Sequence, residues 1–112
     1  SLPTRRSSDL SMKKRPDAVF SANDTCAVYC MMHLKEAGIK IPGDIAFAGF
    51  NNDPVSKIIE PNLTTINYSG YHVGEAATNC LIGYLENNSS VKNTTTIVLR
   101  SELIVRNSSL KK

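Results

Sequence analysis

The sequence predicts an α/β fold built on parallel strands. Two short apolar runs, residues 17–22 and 45–50, show no alternation of polar and apolar side chains, so neither face of either strand is expected to meet water. A stretch with helical periodicity lies between them. A strand, a helix and a strand within roughly thirty residues form a βαβ unit, in which the two strands are parallel.

The helix of this unit is predicted over residues 25–37. Ala27 and Met31 are four residues apart, which places them on one apolar stripe facing the sheet. Asp24 is predicted to be the N-cap, because its carboxylate can accept hydrogen bonds from the free N–H groups of the first turn. Gly38 is expected to end the helix.

The second half of the chain continues the alternation of helices and strands. A membrane span is not predicted, since no apolar run approaches the roughly 18 residues that a span requires. The 41% hydrophobic and 21% charged residues are typical of one globular domain. The predicted elements are a short helix at 54–60, a strand at 63–66, a helix at 71–86, a polar loop at 87–95, and strands at 97–99 and 103–105.

The net charge of +3 is concentrated at the start of the chain. Residues 1–15 carry five basic side chains and one acidic one, whereas the rest of the chain carries eight basic and nine acidic side chains. Because this main part has no basic surplus to hold a phosphate backbone, DNA binding would require a part of the protein outside this chain. The three cysteines are an odd number without framework spacing, which favours a reducing compartment.

The first residues do not share the pattern of the rest. Residues 1–10 lack an apolar period, and PTRRSSDL within them resembles a translated sequencing adapter. We expect residues 1–15 to be artefactual or disordered, the fold to occupy residues 16–109, and 110–112 to be a tail. On this interpretation the chain is a C-terminal fragment. The alternative is a genuine basic arm that touches DNA.

Polar residues follow each strand of the predicted βαβ unit. Asn23 and Asp24 follow the first strand, and Asn51 and Asn52 follow the second. In open α/β sheets, ligands bind outside the carboxyl ends of the strands, so these residues are expected to share one edge and meet a small polar ligand. The alternative for Asn23 is that it only orders the turn, and for Asn52 that it bonds to nearby backbone.

Metal binding and catalysis are not predicted. Cys26, Cys30 and His33 fall on one helix face at a spacing that could offer metal ligands, but nothing nearby supplies a fourth. The sequence has no glycine-rich phosphate loop, nucleophile elbow or clustered carboxylate pair. We therefore expect no cofactor and no enzymatic activity.

Five segments in order resemble the C-terminal part of the effector-binding core of the lac repressor/galactose repressor family. They read PDAVFSAND, EAGIKIPGDIAFAGFNND, PNLTTI, GEAA and ELIVRNSS, and the resemblance covers residues 16–109. It implies two doubly wound α/β lobes with parallel sheets, similar to periplasmic sugar-binding proteins, of which this chain is the C-terminal part. The Asn-Asn-Asp-Pro sequence after the central strand is similar to regulators of the Bacteroides group.

The resemblance implies an effector that binds between the lobes, a sugar or sugar derivative. Asn23 and Asn51 match positions that contact it, and Asp24 and Asn52 adjoin them in the predicted site. The family usually has an aspartate where this chain has Asn51, so the contact here would be uncharged. Tyr68 could line the cleft, with core or surface packing as its alternative role.

The resemblance also implies a homodimer that reads operator DNA. The DNA-reading helix-turn-helix would lie in an N-terminal headpiece absent from this chain. We therefore predict a cytoplasmic sensing and dimerisation part of a transcriptional regulator; the alternative is a fragment of a periplasmic sugar-binding protein of an uptake system. Val28, Met32, Ile58 and Ile59 match the dimer interface, although they could instead cover the sheet within one chain.

Overall fold

The computed structural model describes residues 14–87 and 95–111 of the chain. Residues 1–13, which include the suspected adapter segment, lie outside this part, as does most of the loop predicted at 87–95. The elements in order are β1 (Ala18–Phe20), α1 (Asp24–Glu36), β2 (Ala46–Ala48), α2 (Val55–Ile58), β3 (Thr65–Asn67), α3 (Gly70–Asn87), β4 (Glu102–Ile104) and a 3₁₀ turn (Asn107–Ser109).

The βαβ unit forms, but the prediction that neither face of the first strand meets water was wrong, since Ala18 and Phe20 are exposed, Phe20 by 63%. β1 and β2 pair in parallel, with Val19 opposite Phe47, and α1 connects them. A parallel bridge between Ala48 and Thr64 brings the start of β3 to the other side of β2. β3 then pairs antiparallel with β4. The carboxyl ends of β1, β2 and β3 therefore meet at one edge.

The central strand β2 is covered on both faces. Successive side chains of a strand point to opposite faces. Ala46 is 8% exposed and its neighbour Phe47 is 1% exposed, so neither face is open to water. Met31 of α1 packs in the same hydrophobic cluster as Phe47, together with Leu63 at the entry to β3. The predicted apolar stripe of α1 thus faces the sheet.

The N-cap of α1 is Asn23, and the prediction of Asp24 was wrong. Asn23 has extended backbone angles, and its Oδ1 accepts a hydrogen bond of 2.8 Å from the backbone N–H of Cys26. Both residue types are good caps. The carboxylate of Asp24 is instead fully buried and bonded elsewhere, so the amide one residue earlier caps the helix. Gly38 follows the helix with φ 81°, as its predicted role requires.

The strand predicted at 97–99 does not form. Residues 95–101 have no regular structure, and Val98 is 87% exposed. A strand needs a partner for its backbone groups, and β4 already occupies the described edge of β3. α3 likewise leaves much of its apolar stripe exposed, with Leu81 at 57%.

Gly49 tests how tightly the end of β2 is packed. A Cβ added here would overlap Asp24 Oδ1 and lie 3.0 Å from Leu63 Cδ2. We expect Gly49→Ala to lower the free energy of unfolding of the complete gene product by about 1–3 kcal/mol, as overpacking does. Urea denaturation followed by circular dichroism measures the change.

Gly83 in α3 provides the matched control. Nothing lies within 4 Å of a Cβ added at this position. Alanine is the better helix former, so Gly83→Ala is expected to leave stability unchanged or raise it by up to about 1 kcal/mol. Equal stabilities of the two variants would contradict the close packing described for Gly49.

Candidate functional site

Three polar segments meet at the carboxyl edge of the strands. Asn23 follows β1, Asn51 follows β2, and Tyr68 follows β3. The N–H of Asp24 donates to the carbonyl of Phe50 at 3.1 Å, and the N–H of Asn51 donates to the carbonyl of Ile66 at 3.0 Å. These backbone bonds join the three segments. The prediction that Asn23 and Asn51 share one edge is confirmed; their role in binding is a separate matter.

The amides of Asn23 and Asn51 differ in how many of their hydrogen-bonding groups are free to meet a ligand. Both residues are half-buried. Asn23 Oδ1 is used by the cap of α1, which leaves the two N–H donors of the amide. Within residues 14–87 and 95–111, no hydrogen bond engages the Asn51 side chain. Its backbone has φ 113°, outside the usual range for a side-chain-bearing residue. Asn51 thus offers both a donor and an acceptor.

Asp24 and Asn52 serve the structure through bonds within the chain. The Asp24 carboxylate is fully buried, and its Oδ1 accepts from the hydroxyl of Thr65 at 2.7 Å while Oδ2 accepts from the N–H of Asp53 at 2.7 Å. Asn52 Oδ1 accepts from the guanidinium of Arg106 at 2.9 Å. These bonds shape residues 51–53, here called the asparagine loop. An effector contact by Asp24 or Asn52 stays a prediction.

Thr65 and Arg106 were missed as site residues by sequence reasoning. Thr65 is fully buried; its Oγ1 donates to Asp24 and accepts from the N–H of Asn52 at 3.2 Å. Arg106 lies in the ELIVRNSS segment, which served only as a marker of resemblance. No local pattern singles out either residue, because their partners lie far away along the chain.

An aromatic pair lies beside the asparagine loop. The rings of Phe50 and Tyr68 stack with centroids 5.7 Å apart and planes inclined by 13°. Phe50 directly precedes the loop and Tyr68 directly follows β3. The stack supports the packing role considered for Tyr68, whose side chain remains partly exposed at this edge.

The four predicted interface residues differ in exposure. Val28 is buried in the hydrophobic cluster of the chain, and Ile59 packs against that cluster. Met32 is 45% exposed and Ile58 is 75% exposed. Met32 and Ile58 are thus open on the surface of this chain, whereas Val28 and Ile59 contribute to covering its core. The interface itself stays a prediction.

Metal and membrane sites find no support in the described structure. Within residues 14–87 and 95–111, no three His, Cys, Asp or Glu side chains come close enough to share a metal ion. His33, one of the three residues whose spacing could have suited a metal ion, has its Nδ1 3.6 Å from Oε2 of Glu36. Over the same ranges, none of the helices has the length and apolar character required to cross a bilayer.

Comparison with known proteins agrees with this architecture. A family model for the periplasmic binding protein-like domain matches residues 2–109. The lactose operon repressor of Rhizobium radiobacter is 38% identical over 102 residues, which are 91% of this chain and 88% of that protein. The family-model match includes residues 2–10, whose interpretation as a translated adapter stays a prediction, as does the likeness to Bacteroides regulators.

Two further relatives are much longer than this chain. The HTH-type transcriptional repressor PurR of Vibrio campbellii is 35% identical over 97 residues, which are 87% of this chain and 28% of the repressor. A LacI family transcriptional regulator from Lactobacillus casei, solved with bound sucrose, is 34% identical with a TM-score of 0.70; the match covers 85% of this chain and 34% of that one. The chain thus spans about a third or less of these two proteins. It belongs to the periplasmic binding protein-like domain family, within the effector-binding region of LacI/GalR-type regulators.

Proposed function

We propose that this chain is the effector-sensing and dimerisation part of a DNA-binding transcriptional regulator, and that its effector is a sugar or sugar derivative. The observation that carries the proposal is the pair of asparagines, Asn23 and Asn51, which two parallel strands bring to one edge. Relatives named as repressors support the regulatory role. The sucrose bound to the Lactobacillus casei regulator supports the ligand class.

The chemistry of the edge suits neutral hydroxyl groups. A sugar hydroxyl both donates and accepts hydrogen bonds, and so does an amide. The cap of α1 leaves Asn23 with donors, whereas Asn51 keeps its donors and its acceptor. An uncharged Asn51 does not favour a cationic ligand as the family's aspartate would. The stacked ring of Tyr68 adds an apolar surface that could meet a sugar face.

Regulation would follow from two lobe arrangements. A sugar that binds between the lobes stabilises one arrangement only by its difference in affinity for the two. That arrangement would change the spacing of two DNA-reading headpieces in a dimer. The headpiece lies outside this chain, and the complete regulator would act on operator DNA in the cytoplasm. The proposal requires no cofactor and no catalytic step.

The alternative of a sugar-binding protein for uptake shares the same fold. The lactose operon repressor of Rhizobium radiobacter and PurR of Vibrio campbellii are both named as repressors, which favours the regulator. Specific binding of the complete gene product to its own promoter fragment, released or strengthened by a sugar, is the behaviour that separates the two functions.

Asn51 is the residue whose loss should affect sugar binding most. We expect the complete gene product to bind at least one of sucrose, lactose and cellobiose in isothermal titration calorimetry. Asn51→Ala should weaken that binding about tenfold or more, because it removes hydrogen bonds worth about 1.5 kcal/mol.

Asn62→Ala is the matched control for this substitution. The Asn62 amide donates to the carbonyls of Lys57 and Ile59 and lies before β3, away from the carboxyl edge. It should leave affinity within about twofold, a change below 0.5 kcal/mol. Equal affinities of wild type and Asn51→Ala for the bound sugar would refute the assignment of Asn51.

Met32 tests the proposed dimer. Its side chain is nearly half exposed on α1, so Met32→Asp should leave the fold intact and place a charge in an apolar interface. We expect the mass of the complete gene product in light scattering to fall from dimer towards monomer. Leu110→Asp, at another exposed apolar position, is the control and should retain the dimer. An unchanged dimer mass for Met32→Asp would show that the interface lies elsewhere.

A further inference from the structure

The guanidinium of Arg106 joins three segments around the candidate site. Its Nη1 donates to the Ser56 hydroxyl oxygen at 2.8 Å and to the Leu63 carbonyl at 3.0 Å, while Nη2 donates to Asn52 Oδ1 at 2.9 Å. Ser56 belongs to α2, and Leu63 leads into β3. One planar group therefore fixes the asparagine loop relative to α2 and β3.

The base of the Arg106 side chain is itself fixed. The backbone N–H of Arg106 donates to Thr64 Oγ1 at 2.8 Å. The Thr64 hydroxyl in turn donates to the backbone carbonyl of Arg106 at 3.0 Å. The next turn is anchored by Ser108, whose Oγ accepts from the Thr64 N–H and donates to the Phe47 carbonyl. The guanidinium is thus presented from a rigid part of the chain.

Among the residues that the structure describes, the acceptors of the Arg106 guanidinium are all uncharged oxygens. Each ion pair found among the described residues joins a histidine to a glutamate, and none involves Arg106. Its role in the fold is therefore geometric rather than the neutralisation of a carboxylate. The planar fork of arginine can serve divergent acceptors at fixed angles, whereas a lysine ammonium acts as a point charge.

The asparagine loop needs such support because its backbone is strained. Asn51 has φ 113° and Asn52 has φ 54°, in the region that residues with side chains rarely adopt. Such conformations persist when the surroundings hold them. The backbone N–H groups of Asn52 and Asp53 are held by Thr65 and Asp24. The described partner of the Asn52 side chain is Arg106.

We propose that Arg106 is a positioning residue of the effector site: through Asn52 it holds the asparagine loop in the shape that presents Asn51 to the ligand. Asn52 in this view acts through the loop and does not itself contact the effector. The consequence for binding rests on the proposed function, whereas the holding of the loop does not.

The first experiment examines the loop without ligand. Hydrogen–deuterium exchange of the complete gene product, followed by mass spectrometry of the peptide covering residues 50–54, reports on the N–H groups of this loop. Asn52→Ala should accelerate their exchange about tenfold, and Arg106→Lys should do the same. Asn62→Ala, which removes a half-buried amide away from the carboxyl edge, should leave the exchange of this peptide unchanged. An exchange rate equal to that of the wild type, in either Asn52→Ala or Arg106→Lys, would overturn the proposal.

The second experiment examines the coupling to affinity, with sucrose as the first probe and lactose and cellobiose as the others. Asn52→Ala and Arg106→Lys should each weaken binding about tenfold. The double variant should be no weaker than Arg106→Lys alone, because both changes remove the hydrogen bond between Arg106 and Asn52. Losses that multiply would mean that Asn52 acts independently of Arg106 and would overturn the positioning role.

The two experiments separate this inference from the proposed function. If none of the three sugars binds the wild type, the proposed ligand class fails, and the exchange measurement alone decides whether Arg106 holds the loop. If a sugar binds and Asn51→Ala weakens it while Asn52→Ala does not, the proposed function stands and the positioning role is wrong.

Discussion

The buried carboxylate of Asp24 is the constraint around which the site is built. Removing a carboxylate from water is costly unless hydrogen bonds replace its hydration. Here the replacements come from the hydroxyl of Thr65 and the backbone N–H of Asp53, which belong to β3 and to the asparagine loop. Satisfying one charge therefore fixes the start of α1, the loop after β2 and the strand β3 in one arrangement. Gly49 follows from the same constraint, since a Cβ at this position would occupy the space of the carboxylate.

Arg106 complements Asp24 by bonding to the neighbouring residue of the asparagine loop. The two charges do not pair with each other; Asp24 holds the Asp53 N–H and Arg106 holds the Asn52 side chain. Hydrogen bonds to charged groups contribute more than neutral ones, about 1.5–3 kcal/mol each. Two such bonds on adjacent residues offset the cost of the left-handed backbone at Asn52. The chemistry left open to a ligand is that of the amides of Asn23 and Asn51.

The sequence predicted the part of the fold that depends on local pattern. The apolar runs and the stripe of Ala27 and Met31 were sufficient for the βαβ unit and for the shared edge of Asn23 and Asn51. Asp24 and Asn23 are both good N-caps, and only the tertiary partners of the carboxylate decide between them. The acceptors of the Arg106 guanidinium include residues 43 and 54 positions away along the chain, which no local pattern reveals. The strand predicted at 97–99 from the propensity of its residues was wrong, because propensity does not supply a pairing partner.

The difference between the asparagine at position 51 and an aspartate bears on selectivity. A carboxylate accepts hydrogen bonds from any donor and attracts cations, whereas an amide requires that donors and acceptors match. A half-buried amide that meets an analogue without the matching hydroxyl is left unpaired, and that loss discriminates more strongly than a change in apolar contact. The discrimination is sharp only if the amide cannot turn or shift to find another partner. The bonds of Asp24, Thr65 and Arg106 to the loop restrict such shifts. The selectivity proposed for Asn51 would therefore depend on the same hydrogen-bond network that holds the asparagine loop.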